Sequence, residues 1–138
     1  MRLQAIREAL DTALSSLARQ PTVFAYDTEG RSGHNITILP GTEYITPESI
    51  GQNYELCIYL DLRIEVPGRL ADSQIAMDDY LSTGAGSTSS VVDAVLLPAN
   101  AKLGGLVEGV IYLGCDGPNL DVDPITALVH FRYMTSRG

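Results

Sequence analysis

From Tyr54 to Val66 apolar and polar positions alternate without a break, with Leu56, Ile58, Leu60, Leu62, Ile64 and Val66 set against Glu55, Cys57, Tyr59, Asp61, Arg63 and Glu65. Successive side chains of a strand point to opposite faces, so this run predicts one long, half-buried β-strand with an oily face and a wet face. Nearer the start the period changes. Leu3, Ile6, Leu10, Ala13, Leu14 and Leu17 fall on one stripe at helical spacing, with Gln4, Arg7, Glu8, Asp11 and Ser15 off it, which predicts an amphipathic helix over residues 3–17. Gln20-Pro21 stops that helix, because a residue before proline is pushed out of the helical region.

Thr22 to Asp27 is β-branched and aromatic and predicts a short strand, and Ile36 to Leu39 predicts a second. Pro40-Gly41 is a turn signal at which the chain is expected to reverse. The polar stretch from Pro47 to Asn53 then leads into the long strand, which Pro67-Gly68 ends. Leu70, Met77, Tyr80 and Leu81 share one arc of a helical wheel and predict a helix over residues 70–82, with Asp72 or Ser73 as its cap and Ile75 off the stripe. Ser82 to Ser90 reads as a loop that finishes in a serine cap. Val91, Val92, Val95 and Leu96 follow as a short third helix ending at Pro98. Leu103-Gly104-Gly105 bends the chain into a strand from Val107 to Cys115, and Pro124 to Met134 forms the last strand, the two making a hairpin. In that last strand Ala127, Val129, Phe131 and Tyr133 share one face and Leu128, His130, Arg132 and Met134 the other, so both faces are expected to be covered in part. These elements add up to a single α+β domain over residues 1–138, in which an N-terminal helix and two further helices pack on a mixed, mostly antiparallel sheet.

Composition narrows the function more than the fold. The 138 residues are 45% hydrophobic and 19% charged, as in a soluble globular domain, and no apolar run approaches a membrane span. The charged start, with Arg2, Arg7, Glu8 and Asp11, does not read as a secretion signal. Cys57 and Cys115 form no close pair, so no disulfide framework is expected. A formal charge of −8 repels a phosphate backbone, and the basic residues are scattered singly, which argues against a reader of nucleic-acid sequence.

Candidate chemistry is thin. His34, His130, Cys57 and Cys115 lack the close ligand pair that zinc sites show. Asp116, Asn119, Asp121 and Asp123 put oxygen ligands in one loop, but Gly117-Pro118 interrupts the calcium-loop pattern and no glutamate follows, so a solvated hairpin tip is expected. Ser87 to Ser90 has neither a nucleophile elbow nor a phosphate-binding loop around it. Asp78 and Asp79, adjacent on a helix, point in different directions. No catalytic constellation, metal site or cofactor site is expected, and the chain is not read as an enzyme. The rival reading is a small ligand-binding or enzymatic domain whose polar groups converge only in the fold.

Read in order, the segments TVFAYD, ITILPGTEYI, YELCIYLDLRIEVPGR and MDDYLSTGAGSTSSVVDAVLL, then LGGLVEGVIYL and the closing strand, resemble the tail terminator proteins of long-tailed bacteriophages, especially those infecting actinobacteria. Gly33-His34-Asn35 stands where members of that family often carry a proline pair. The resemblance implies a structural virion protein, formed in the host cytoplasm and placed at the neck end of the tail. It would assemble as a homo-hexameric ring on the tail tube protein, stop tube polymerisation and present a surface to the head connector. Another neck or tail completion protein is the near alternative. Ring contacts need two different, complementary patches on each subunit. The expected patches are the wet face of the long strand, with Tyr59, Asp61, Arg63 and Glu65, and exposed loops over residues 28–35 and 41–53, with Arg31, His34 and Tyr44. An acidic ring lumen would let DNA pass without specific binding.

Overall fold

The alternating run forms the middle strand of a five-stranded mixed sheet, and the oily face of that sheet is roofed by three helices. The computed structural model describes residues 3–50, 53–68, 70–84 and 88–136, and of residues 47–50, 53–55 and 136 it describes the backbone alone. In chain order the elements are α1 (Leu3–Leu14), β1 (Thr22–Phe24), β2 (Asn35–Ile50), β3 (Asn53–Val66), α2 (Ala71–Leu81), α3 (Val91–Leu96), a 3-10 turn (Leu103–Gly105), β4 (Gly109–Asn119) and β5 (Ile125–Ser136). The strands lie in the order β1-β2-β3-β5-β4. β1 runs parallel to β2, and the other neighbours are antiparallel. The chain is therefore a single α+β domain, as its periodicities predict.

Period-2 patterning decides which face is buried. Ile58, Leu60, Leu62, Ile64 and Val66 of β3 face the helices beside Ile36 and Ile38 of β2 and Ala127, Val129, Phe131 and Tyr133 of β5. Onto them pack Ile6, Leu10 and Leu14 of α1, Met77 and Tyr80 of α2, and Val91, Val92 and Val95 of α3. Ser90 caps α3 as expected, its Oγ accepting from the Asp93 backbone N–H at 3.1 Å. Ile75 is exposed, as its place off the stripe requires.

Four expectations are corrected. Pro40-Gly41 does not reverse the chain: β2 runs straight through it to Ile50, and the reversal comes between Ile50 and Asn53, which pair with each other. Proline is tolerated there because β1 ends at Phe24, opposite Thr37, and leaves β2 an edge strand from that point on. The expected loop at 41–53 is accordingly mostly strand, with an irregularity between Pro40 and Ile45. Gly41 sits where β2 presses on β3, and a Cβ there would stand 2.8 Å from the Tyr59 Cβ, so no larger residue fits without moving the backbone.

The second correction concerns the start of α2. Neither Asp72 nor Ser73 caps it: Leu70 is the N-cap residue without a side-chain bond, and Ser73 donates to the Pro67 carbonyl at 2.7 Å. Asp72 instead lies in the first turn, where its charge suits the helix dipole. Third, Leu70 is not part of the buried arc and is 79% exposed. Finally, Arg7, placed off the apolar stripe of α1, is buried. Its Nη1 donates to the carbonyls of Ala25 at 2.7 Å and Ile38 at 2.9 Å, and its Nε and Nη2 donate to the Tyr44 hydroxyl at 3.3 and 3.2 Å. The guanidinium also lies 4.5 Å from the centre of the Tyr26 ring, a cation–π distance.

Candidate functional site

With all three helices on one side, the other face of the sheet is left without a helix over it. It carries the wet positions of β3 and their cross-strand neighbours: Tyr59 opposite Arg132, Asp61 opposite His130 and Arg63 opposite Leu128 are partly exposed, whereas Cys57 opposite Met134 and Glu65 opposite Thr126, expected on the wet face, are buried there by their neighbours. β4 adds Ile111 opposite Arg132 and Asp116 opposite Leu128. The face is thus a mosaic of both charge signs with scattered apolar groups.

Two polar networks organise it. At one end Arg31, from the loop after β1, donates through Nε to Glu65 at 2.6 Å and pairs with Asp27 at 3.0 Å, while Arg63 reaches the same Asp27 oxygen at 2.8 Å. The hydrogen bond from Arg63 holds the Asp27 carboxyl below its ordinary range, and the one that Arg31 donates to Glu65 pushes the Arg31 pKa up. These four side chains neutralise one another, so the pale charge pattern of the sequence hides a stitched patch that pins the 27–31 loop to β3.

In the middle of the sheet His130 is gripped from both sides. Its Nδ1 lies 2.6 Å from Asp61 of β3 and its Nε2 lies 2.8 Å from Asp116 of β4. Burial alone would lower its pKa, but the hydrogen bonds and charges of the two carboxylates outweigh burial and raise it. An imidazolium has two N–H donors and satisfies both acids at once; a neutral ring has one. The same geometry makes a poor metal site, because the two acids meet opposite nitrogens and do not converge. Among the described residues no group of three His, Cys, Asp or Glu side chains is placed to hold an ion.

Of the sequence-predicted interface residues, Tyr59, Asp61, Arg63, Glu65 and Arg31 gather on this open face. Tyr44 and His34 do not: Tyr44 turns its hydroxyl to Arg7, and His34 turns Nδ1 to the Tyr80 hydroxyl of α2 at 3.0 Å. Burial pushes Tyr80 up to about 12, and burial followed by the charge of Arg19 pushes His34 down. Sequence reasoning missed His130 and Asp116 as partners of Asp61. Only the register, which sets Asp61 against His130, brings them together.

Elsewhere, Asp79 pairs with Arg19, whose Nε donates to it at 2.9 Å, and Asp123 accepts from the Gly68 backbone N–H at 2.8 Å. Cys115 is held as a thiol, first by burial and then by Asp116. Such a group is a weak nucleophile. The largest hollow, about 630 Å³, is open and lined by the already paired Arg31 and Glu65 with Asn35 and Asp123. A second groove, about 360 Å³, lies beside His130 between Tyr59, Asp61, Leu113 and the Glu43 of β2. Neither hollow places a nucleophile beside a base.

The two histidines give the fold opposite pH dependences. His130, raised in the folded chain above 6.5, stabilises most below that value, and its contribution is lost as the pH climbs through its folded pKa. His34, lowered below 6.5, contributes above that value and is lost as the pH falls through its folded pKa. Thermal melts taken from about pH 5 to 8 are expected to peak near the ordinary histidine pKa. His130→Gln should flatten the alkaline limb alone, and His34→Gln the acid limb alone; an unchanged alkaline limb in His130→Gln would contradict the double grip.

No protein-family model matches this chain, and no curated protein matches it.

Proposed function

We propose that the chain is a structural ring subunit of a long-tailed phage virion, a tail terminator that caps the finished tail tube, stops its growth and joins it to the head connector. What carries the reading is the open sheet face, a mixed-charge surface on the side away from the helices, on which the charged side chains Asp27, Arg31, Arg63 and Glu65, and His130 with Asp61 and Asp116, pair with one another. The segments that resemble tail terminators run over nearly the whole chain. A surface of this kind suits contact with copies of itself and with other virion proteins. Closed rings arise when two different patches on each subunit complement each other, and the helix side and the sheet side supply two such different surfaces.

The formal charge of −8 adds a role for the lumen. A ring carrying excess carboxylates on its channel passes duplex DNA without holding it. Tight, salt-sensitive binding of duplex DNA by the pure protein would remove that part of the proposal.

Electron microscopy of lysates from a phage with this gene disrupted tests the main reading. Overlong tails without heads are the expected result. Tails of normal length lacking heads would move the protein to another place in the neck, and normal infectious particles would overturn the virion reading and bring a ligand-binding or enzymatic domain forward.

A further inference from the structure

The groove beside His130 has a match on the opposite side of the subunit. Its walls are Tyr59 and Leu113, its floor is the strand at Phe131, whose ring is buried on the helix side, and its acids are Glu43 and Asp61. Asp61 and Asp116 share the charge of one imidazole, and Glu43 has no ion pair among the described residues. Two carboxylates therefore bind one histidine, and a third, Glu43, lines the groove beside it. Arg132 stands one pair further along, opposite Tyr59, and outside the groove lining. The groove keeps a net negative charge with apolar walls.

Lys102 is the only lysine of the sequence. It is exposed, and among the described residues it is the one cation with no partner. Its backbone is nonetheless fixed, since its carbonyl accepts from the N–H groups of Gly105 at 2.9 Å and Val107 at 3.2 Å. Leu97 and Leu106 lie in the successive hydrogen-bonded turns before and after it and are 52% and 42% exposed. A flexible cationic stem, with exposed leucines five residues before it and four after it in the chain, has the inverse character of the groove. The turn that bears it packs against α1, on the helix side of the sheet, so Lys102 cannot reach the groove of its own subunit.

We infer that Lys102 of one subunit, flanked by Leu97 and Leu106, docks into the groove formed by Glu43, Asp61 and Leu113 on a second copy of this chain. This inference rests on the ring reading and gives it a specific contact. The contact is heterologous, joining unlike patches, so it propagates around a ring and does not stop at a pair. Charge complementarity fixes its register, and the leucines supply the apolar area.

Zero-length carbodiimide coupling is unusually clean here, because one lysine and the terminal amine are the only amines. A mixture of unlabelled and 15N-labelled protein is coupled at high concentration, and the joined peptides are read by mass spectrometry. Mixed-isotope links from Lys102 to Glu43 or Asp61 are expected. Lys102→Glu and Glu43→Lys should each weaken self-association about tenfold or more, and the double exchange should restore it. Glutamate and lysine at these exposed positions leave the core untouched, so a loss that the double exchange repairs is not misfolding. Absence of a Lys102 link, a link to other acids, or single variants that associate normally would overturn the contact. Overlong tails in the gene disruption alongside such a result would leave the ring reading standing, whereas normal particles alongside a positive link would remove the ring reading and keep the contact.

Discussion

Leu60→Asp is expected to abolish folding, giving insoluble protein or a chain without a cooperative melt. Leu60 is 1% exposed at the centre of β3, between Phe131 on β5 and Pro40 on β2. Ile58, Leu60, Leu62, Ile64 and Val66 are all buried on that face, and five such side chains contribute on the order of 10 kcal/mol gross, an upper bound because an unfolded chain already hides some surface. A whole domain is stable by only about 5–15 kcal/mol. Truncating one buried leucine costs about 2–5 kcal/mol, and an unpaired carboxylate in its place adds several more. Leu60→Met keeps volume and apolarity and should cost under about 1.5 kcal/mol, which separates the charge effect from mere substitution. Circular dichroism melts of the two variants check this. A soluble Leu60→Asp protein with an unchanged melt would mean that the oily face of β3 is not the core.

The long strand was legible because its alternation is the face assignment itself, and β5 was legible for the same reason. Where one residue carries two conflicting instructions, local reading failed. Pro40-Gly41 is a turn signal taken alone, yet Pro40 sits on the free edge of β2, where a missing N–H costs no ladder bond, and Gly41 is required by the nearness of Tyr59 and not by a reversal. Arg7 looked solvent-facing because it is charged. Its burial depends on three acceptors brought together by Ala25, Ile38 and Tyr44, which lie 18, 31 and 37 residues away. Leu70 joined the apolar arc of its helix on paper and stands just before that helix in space.

The candidate site was half legible for a related reason. Alternation told which side chains of β3 point away from the core, and Arg31, Tyr59, Asp61, Arg63 and Glu65 do share the open face. It could not tell which of them are spent. Arg31, Arg63 and Glu65 are engaged with one another and with Asp27, so they stitch the loop after β1 to β3. Ion pairs of this partly exposed kind add little net stability, and their value here is in fixing the loop after β1. The central groove stands apart from this network, with Glu43 and Asp61 against His130 beside Tyr59 and Leu113.

Arg7→Ala is the second substitution expected to have a large effect. The guanidinium ties α1 to two other parts of the chain through neutral acceptors: the carbonyl that follows β1, and a carbonyl and a tyrosine hydroxyl of β2. Hydrogen bonds from a charged donor are worth about 1.5–3 kcal/mol each, and acceptors left buried without a donor carry their own desolvation cost. The contributions are not independent, since water enters a site once it is opened, so a total loss of about 3–5 kcal/mol is expected, with Tm lower by about 10 °C or more. Arg7→Lys keeps the charge but replaces a planar fork by one point donor that cannot serve all three acceptors, and it should lose about half as much. Arg7→Met fills the space and leaves the acceptors empty, so its loss isolates the hydrogen bonds from packing. Urea unfolding of the three variants, compared at equal slopes, orders them: Ala worst, Met between, Lys mildest. An Arg7→Ala protein within about 0.5 kcal/mol of the parent would show that α1 is held by its leucines alone and that the buried guanidinium is incidental.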